Sequence, residues 1–389
     1  MELQKDVVIV GAGMVGLSLA LALHRKGLQV AIVESRKINN NINTSAVETR
    51  FSAINHTSKR LFKDLGVWDC IKSSRISPYY SMKVWDDNLE NEISFTAEDL
   101  AEHSLGCIIE NDVIINALLE KISDTSIEII DGVKISEIHR QQGIAKVFLN
   151  GKTIETNLVV GADGANSFIG DYFNFEKSIK PYTHTAIVAT VQLQKSHNQT
   201  AFQRFYDKGV LALLPVEDSH KSSIVWSVTP DYGRYLMNLD VLDFESRLKS
   251  DIDDVLGDVK LLSKKFSFEL VQRHAKQYAQ DNVVLVGDAC HSIHPLAGQG
   301  VNLGFKDVIS LADVLGKAFS KGRLIGHIST LDKYQRDRKL DNTKMIITMK
   351  TFKELFGSEK NIVQTIRRFG LGIVNDNNIA KKIFVKQAL

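Results

Sequence analysis

The first 34 residues constrain the fold of this chain more than any other stretch. A β-branched run from Val7 to Val10 leads into Gly11-Ala12-Gly13-Met14-Val15-Gly16, and a leucine-rich helical pattern follows as far as Gly27. A second β-branched run, Val30 to Val33, ends on Glu34. This order is typical of a Rossmann-like dinucleotide-binding unit, in which a strand, a glycine-rich turn, a helix and a second strand are followed by an acidic residue.

The glycines and the acid of this unit have separate roles. Gly11 permits the tight turn, Gly13 lets the backbone approach a pyrophosphate, and Gly16 lets the helix pack closely on the strand. Glu34 lies 18 residues after Gly16. A carboxylate there can accept hydrogen bonds from both ribose hydroxyls and disfavours a 2′-phosphate. The unit therefore predicts an adenosine diphosphate moiety, from FAD or NAD.

Length and composition set the broad class of the protein. With 389 residues, 44% of them hydrophobic and 24% charged, the chain can form two domains of ordinary globular composition. Its three cysteines are far apart, so their spacing predicts neither a disulfide framework nor a metal site. The N-terminus lacks the regions of a signal peptide, and no run of about 18 apolar residues could span a membrane. We expect a cytoplasmic protein with no metal and no nucleic-acid partner.

A second glycine-rich stretch, residues 282–307, lies near the C-terminus. The apolar run Val283 to Val286 ends at Gly287-Asp288, where the end of a buried strand would place the carboxylate in a crevice. Three more glycines accompany the helical pattern that follows, namely Gly298, Gly300 and Gly304. Backbone N–H groups at such a helix start are unpaired and favour negative charge.

The same stretch resembles the signature of the FAD-dependent hydroxylases of ubiquinone biosynthesis. The resemblance rests on His294-Pro295-Leu296-Ala297-Gly298-Gln299-Gly300, followed by Asn302, Gly304 and Asp307. A strand that ends in Gly161-Ala162-Asp163-Gly164 resembles a second motif of these flavoproteins. That motif usually continues to an arginine. Gly170 stands in its place here, which leaves open the contact that the guanidinium makes in the family.

The resemblance implies an α/β fold of the p-hydroxybenzoate hydroxylase type. A Rossmann-like FAD-binding domain would carry an inserted β-sheet substrate domain, and the C-terminus would be helical. The expected boundaries are 1–76, 99–180 and 281–345 for the FAD-binding domain, 77–98 and 181–280 for the substrate domain, and 346–389 for the C-terminal helical region.

Local patterns add detail to this fold. Helical spacing of apolar residues within 48–68 includes Ile54 and would place Arg50 near a helix start, and Asn111 is a plausible N-cap for the helix after the strand at 107–110. Residues 80–95 read as a β-hairpin. The substrate sheet is expected from strand-like runs at 182–193, 203–206, 210–214 and 223–229, followed by one helix from Leu242 towards Val255.

The resemblance also assigns site residues. Glu34 would bind the adenosine ribose, Arg50 would reach the flavin, and Asp288 would bind the ribityl chain. His294 is a candidate for proton transfer, although a histidine before proline also shapes loops. The full set of expected cofactor-binding residues is Gly11, Gly13, Gly16, Glu34, Arg50, Asp163, Gly287, Asp288, Gly298, Gln299, Gly300 and Asn302.

The activity implied by the resemblance is hydroxylation of an aromatic ring. Reduced FAD would react with O₂, and the resulting C4a-hydroperoxyflavin would transfer oxygen to a polyprenylated phenol or benzoquinol in ubiquinone biosynthesis. NAD(P)H or a ferredoxin would supply electrons. Two alternatives stay open: an FAD monooxygenase of a soluble aromatic substrate, and a flavin-bound, non-catalytic subunit of a quinone-biosynthesis complex.

The C-terminal part of the chain is basic. Residues 331–389 contain 13 Lys and Arg against 6 Asp and Glu, a net charge of +7 in a chain whose total is +2. Basic amphipathic helices can lie on anionic lipid, although such a helix more often packs on its own domain. The tail is therefore a candidate contact with the inner membrane surface or with other ubiquinone-biosynthesis proteins.

Overall fold

A mixed sheet with a parallel centre is built around the N-terminal strand and brings together distant parts of the chain. The computed structural model describes residues 2–38, 50–86, 92–141, 143–292 and 300–356. Within them, the first sheet runs in the order β18 (Ala279–Gln280), β19 (Val283–Leu285), β11 (Lys152–Gly161), β1 (Glu2–Val10), β2 (Val30–Glu34) and β8 (Glu128–Asp131), with β10 (Ile144–Leu149) paired to β11 and β9 (Ile135–Gln141) paired to β10.

Parallel pairing aligns the carboxyl ends of β19, β11 and β1. Val10 lies opposite Gly161, and Gly161 lies opposite Leu285. The backbone continues this alignment past the strands, because Ala162 N donates to Val10 O at 2.8 Å and Val286 N donates to Gly161 O at 2.9 Å. The loops that follow the three strands therefore meet at one edge of the sheet.

A second, mainly antiparallel sheet is formed by later strands and by a hairpin from early in the chain. Its order is β20 (His291–Ser292), β17 (Phe266–Ala275), β12 (Lys177–Leu193), β15 (Lys221–Val228), β14 (Gly209–Pro215), β13 (Thr200–Tyr206), β5 (Ser81–Trp85) and β6 (Ile93–Thr96), with β16 (Val259–Leu261) on β12. A third sheet contains β3 (Phe51–Ile54), β7 (Gly106–Glu110) and β4 (Ile76–Tyr79).

Helices cover the first sheet and one face of the second. They are α1 (Met14–His24), α2 (His56–Leu65), α3 (Trp68–Lys72), α4 (Asn111–Ser123), α5 (Phe168–Tyr172), α6 (Pro230–Asn238), α7 (Val241–Asp251), α8 (Gly300–Phe319) and α9 (Ile328–Phe356). On β12, Ile187, Ala189 and Val191 pack in one apolar cluster with Phe244 and Leu248 of α7. The alternate residues of β12 point to the opposite face, which lies towards the first sheet's loops.

The predicted α/β class is confirmed, and two local predictions are wrong. Ile54 lies in β3 rather than in a helix, because residues 51–54 pair antiparallel with β7, and α2 starts only after Asn55, whose side chain accepts from Ser58 N at 3.0 Å. Asn111 is the first residue of α4 rather than its cap, and its Oδ1 accepts a hydrogen bond from Ser52 Oγ at 2.7 Å.

The part of the chain that forms the second sheet and its helices also has two elements that the sequence patterns did not predict. They are the helix α6 and the ten-residue strand β17. The turn of the predicted hairpin and most of the basic tail lie outside the described residues. In the described part of the chain, no helix is long and apolar enough to cross a membrane.

Candidate functional site

A continuous cleft runs along the edge where β1, β11 and β19 end. Its larger part, about 990 Å³, lies beside β1 and β2, and a part of about 540 Å³ lies between α8 and the second sheet. Gly13, Arg50, Ala162 and Gly164 line both parts. One elongated ligand could therefore occupy both, which is the shape that a dinucleotide requires.

The glycines after β1 have three different environments. Gly11 has φ +110°, and a Cβ there would lie 2.5 Å from Ala162 O. A Cβ on Gly16 would lie 2.0 Å from Gly11 O, so both positions are closed to side chains by the backbone itself. A Cβ on Gly13 would meet nothing within 4 Å and would project into the cleft. Gly13 thus leaves open the space in which a pyrophosphate would lie against the start of α1.

Glu34 is placed at the end of β2, on the wall of the larger part. Its Oε2 accepts from Ala12 N at 2.9 Å and its Oε1 accepts from Arg36 N at 2.9 Å. These bonds fix the carboxylate next to the glycine turn. Each carboxylate oxygen keeps further acceptor capacity, so Glu34 can still accept from ribose hydroxyls.

Asp163 lines the same part but is engaged by its own loop. Its carboxylate accepts from Ser167 Oγ at 2.5 Å and from Ile169 N at 3.1 Å, and burial raises its pKa above the ordinary value. A Cβ on Gly170 would lie 2.8 Å from Lys177 Nζ, which pairs with Asp171 at 3.1 Å. A lysine ammonium thus lies beside the position where the flavoprotein motif has arginine.

Asp288 is the carboxylate most available to a ligand. It follows β19 and lines the smaller part, and its side chain has no hydrogen-bond partner within the described ranges. Although its side chain is accessible from the cleft, the surrounding protein desolvates the carboxylate and raises its pKa. A ligand hydroxyl that donates to Asp288 would therefore satisfy an acceptor that the protein leaves unpaired.

A buried ionic network holds the backbone that presents Asp288. Asp307, in α8, accepts from Gly287 N at 2.9 Å, bonds to His291 Nε2 at 2.6 Å, and accepts from Arg338 Nε at 2.7 Å. Burial alone would raise the pKa of Asp307, but the electrostatic attraction of His291 and Arg338 and their hydrogen bonds outweigh it and hold the pKa below its ordinary value. Asp307 thus remains ionised in the interior.

The start of α8 forms the wall opposite α1. A Cβ on Gly300 would meet nothing within 4 Å, so this glycine opens onto the cleft, whereas a Cβ on Gly304 would lie 2.6 Å from Val15 Cγ2. Asn302 was expected to contact the cofactor, but its side chain faces the protein. Its Nδ2 donates to Ala53 O at 2.7 Å and its Oδ1 accepts from Ser58 Oγ at 2.7 Å. These bonds fix the first turn of α8, whose backbone N–H groups remain available to a ligand.

Arg50 lies immediately before β3 and lines both parts of the cleft. Its guanidinium is exposed and forms no ion pair with any residue that the structure describes. Such a cation at the junction of the two parts can meet either a phosphate or the flavin ring system. His294, Gly298 and Gln299 lie outside the described residues.

The wall contributed by the second sheet is mostly apolar. Val188 of β12, Val225 of β15, and Phe268 and Leu270 of β17 line the smaller part, together with the polar Ser223. This wall was not predicted residue by residue, because its members come from three separate strands. The network around Asp307 was also missed, and Asp307 in the glycine-rich signature was the available signal for it.

Comparisons with known proteins agree with this geometry. A family model described as an FAD binding domain matches residues 4–347. The chain is 33% identical over 386 residues to the 3-demethoxyubiquinol 3-hydroxylase of Escherichia coli (strain K12), with coverage of 99% of this chain and 98% of that protein. It is 31% identical over 386 residues to the ubiquinone hydroxylase UbiL of Rhodospirillum rubrum, with coverage of 99% and 89%.

Solved structures show the same fold. The p-nitrophenol 4-monooxygenase PnpA of Pseudomonas putida matches with a TM-score of 0.81 at 18% identity, over 99% of this chain and 97% of that chain. At such identity the likeness concerns the fold alone.

Proposed function

Because the chain belongs to the FAD-dependent monooxygenase family that includes the ubiquinone-biosynthesis hydroxylases, we propose that it hydroxylates the ring of a polyprenylated phenol or benzoquinol. The chain covers nearly the whole length of the relatives named above. Enzymes with these names act on quinone precursors, which supports a ring substrate of that class together with O₂.

The observation that carries the proposal is the contrast between the two parts of the cleft. The larger part has the glycine turn, Glu34 and the start of α1, which suit an adenosine diphosphate. The smaller part combines the unpaired Asp288 with the apolar wall of the second sheet. FAD can span both, with its ring system in the smaller part beside an aromatic substrate.

The residues present fit FAD. In this proposal Glu34 accepts from the adenosine ribose, the backbone from Gly11 to Gly16 surrounds the pyrophosphate, and Asp288 accepts from the ribityl hydroxyls. Asp163 shapes the loop beside the pyrophosphate through its bonds to Ser167 and Ile169. When bound, FAD supplies the activation of O₂ for ring hydroxylation.

Other residues of this chain would orient and shield the reactants. N–H groups in the first turn of α8 favour negative charge on the edge of the flavin that faces them. Arg50 places a second positive charge at the junction of the two parts. The apolar side chains of Val188, Val225 and Phe268 exclude water from the substrate side of the cleft.

The proposal also covers the electron donor, the partners and the location in the cell. NAD(P)H is the typical donor of this family, and a ferredoxin is the alternative. A substrate with a long isoprenoid tail resides in a membrane, so the protein would meet it as a peripheral protein or through other enzymes of the pathway. The basic tail that was considered for this contact lies largely outside the described residues.

The test is substrate-stimulated O₂ consumption by the purified, FAD-loaded protein. We expect a yellow protein that incorporates one atom of labelled O₂ into a prenylated phenol, with a hydroxylated product identified by mass spectrometry. Asp288→Ala should lose most of the bound FAD, whereas Leu324→Ser, in the α8–α9 connection, should retain it. A flavin-bound protein that consumes no O₂ with any phenol would point to the non-catalytic subunit, and turnover restricted to unprenylated phenols would point to the soluble substrate.

A further inference from the structure

An apolar row crosses the second sheet from the floor of the cleft to its edge. Val225 of β15 lies opposite Val188 of β12, and Val188 lies opposite Phe266 of β17. Directly opposed residues in antiparallel strands project from the same face. Val225 and Val188 line the cleft, and Phe266 is the next member of the row, outside the cleft.

The outer end of this row is open to solvent. Phe266 is 50% exposed and its neighbour on the same face, Phe268, is 47% exposed. In the described part of the chain, β17 pairs on its outer side only at Arg273 and His274, with β20. Among the described residues, 266–270 therefore have no strand on their outer side and carry two exposed aromatic side chains, and such an edge is normally protected by charge or by a partner.

The helix-covered face of the sheet also has exposed apolar residues near the start of β17. Lys265, which precedes Phe266, donates from Nζ to Leu236 O at 3.0 Å and to Leu239 O at 2.8 Å, so the corner between α6 and α7 is fastened to the start of β17. Val241 and Leu242, just after this corner, are 52% and 76% exposed. Lys265 thus points to the helix-covered face of the sheet, whereas Phe266 points to the cleft face, so the apolar row itself ends at Phe266.

We propose that this row of Val225, Val188 and Phe266, with Phe268 beside it, binds the isoprenoid tail of the substrate and guides it out of the cleft. The inference rests on the proposed function, since it assigns a path to the tail of that substrate. A cavity of about 540 Å³ is in the size range of pockets for a single small molecule, so the ring of a polyprenyl phenol fits there but its tail does not. A tail that leaves along Phe266 stays in contact with apolar side chains.

The test compares two substrates that share a ring: a phenol with a single isoprene unit, and the same phenol with a tail several times longer, both in one detergent. The wild type should have a KM about tenfold lower for the long-tailed phenol. Phe266→Ser should bring the ratio of the two KM values close to one, because burial of one aromatic side chain changes binding by about tenfold. Leu324→Ser removes an exposed leucine elsewhere, 70% exposed, and should keep the wild-type ratio.

A binding measurement without turnover completes the test. Displacement of a fluorescent polyprenyl alcohol should give a dissociation constant about tenfold weaker for Phe266→Ser than for the wild type or Leu324→Ser. Equal affinities in the three proteins, or an unchanged KM ratio, would overturn the inference while hydroxylation itself continued.

A wild type that hydroxylates no phenol would instead reject the proposed function. If light scattering shows that Phe266→Ser dissociates a dimer, the row is an interface between two copies and binds no tail.

Discussion

The two parts of the cleft are built on different physical principles. In the larger part, which we propose binds the nucleotide, the backbone forms much of the surface: a Cβ on Gly11 or Gly16 would meet backbone, and a Cβ on Gly13 would project into the cleft. In the substrate part the surface consists of side chains such as Val188, Val225 and Phe268, contributed by three strands of a second sheet. The first surface tolerates almost no substitution, whereas the second can change its preference by exchanging single side chains. A family can thus keep one cofactor and vary its substrates.

The largest expected effects come from replacing two glycines of the same turn, one of which should affect folding and the other FAD binding. Gly16→Val should prevent folding, because a Cβ there would lie 2.0 Å from Gly11 O. Gly13→Val should fold, since its Cβ meets nothing within 4 Å, but FAD affinity should fall by about a hundredfold or more because the side chain takes the pyrophosphate's space. Circular dichroism and a fluorescence titration with FAD measure the two outcomes. A folded Gly13→Val protein that binds FAD normally would contradict the nucleotide assignment.

The second expected effect concerns the ionic network beneath Asp288, which lines the smaller part of the cleft. Asp307→Ala would leave Arg338 buried without its main partner and Gly287 N without an acceptor. We expect a loss of about 3 kcal/mol in the free energy of unfolding, together with weaker FAD binding. Urea denaturation and FAD titration provide the measurements. Asp313→Ala, in the same helix, removes an exposed pair with Lys317 and should cost less than about 1 kcal/mol; equal losses in both variants would mean that the network has no special role.

The glycine turn and the position of Glu34 could be predicted from the sequence because their structural requirements are local. A positive φ at Gly11 and the contact between Gly16 and Gly11 O fall within six residues, so they leave a short motif. The position of Glu34 follows in the same way, from one helix and one strand. The same reasoning identified Gly287-Asp288 at the end of β19, where the structure places an unpaired carboxylate in the cleft.

The remaining features depend on contacts between distant residues. Ile54 carries a helical spacing, yet pairing with β7 places it in a strand. The roles of Asn302 follow from bonds to Ala53 and Ser58, more than 240 residues away in sequence. In β17, Phe266, Phe268 and Leu270 alternate with Ser267 and Glu269, but the sequence does not show which distant strands lie beside them. The cleft wall was missed for the same reason.

A smaller effect on the free energy of unfolding is expected from His274, which connects the second sheet to the buried ionic network around Asp307. Its Nε2 lies 2.5 Å from Tyr278 Oη, and burial, with the nearby positive charges of His291 and Lys339, lowers its pKa to about 4. Below the ordinary value of 6.5 the unfolded chain binds a proton that the folded protein does not, so His274 lowers stability as the pH falls from 6.5 towards 4. Between pH 7 and pH 5 the loss should be about 1 to 2 kcal/mol.

Urea denaturation at the two pH values checks this, with His274→Gln as the variant and His24→Gln as a control for removal of a histidine. His274→Gln should lose less stability than the wild type over this interval, whereas His24→Gln should follow the wild type. The same pH dependence in all three proteins would show that His274 ionises in the folded state as it does in the unfolded chain.

A substitution on the cleft wall should have the smallest effect, and it tests whether the substrate part depends on side chains alone. Val188→Thr keeps the shape of a residue on the cleft wall but adds a hydroxyl, and contact with an apolar substrate would then desolvate that hydroxyl. We expect KM to rise about fivefold, which corresponds to roughly 1 kcal/mol, with no change in FAD affinity. Val191→Thr, on the same strand but facing the helices, should lower stability and leave KM unchanged, because Val191 packs in the cluster with Phe244. If Val188→Thr weakens FAD binding instead, the two parts of the cleft are not independent, and the flavin itself rests against β12.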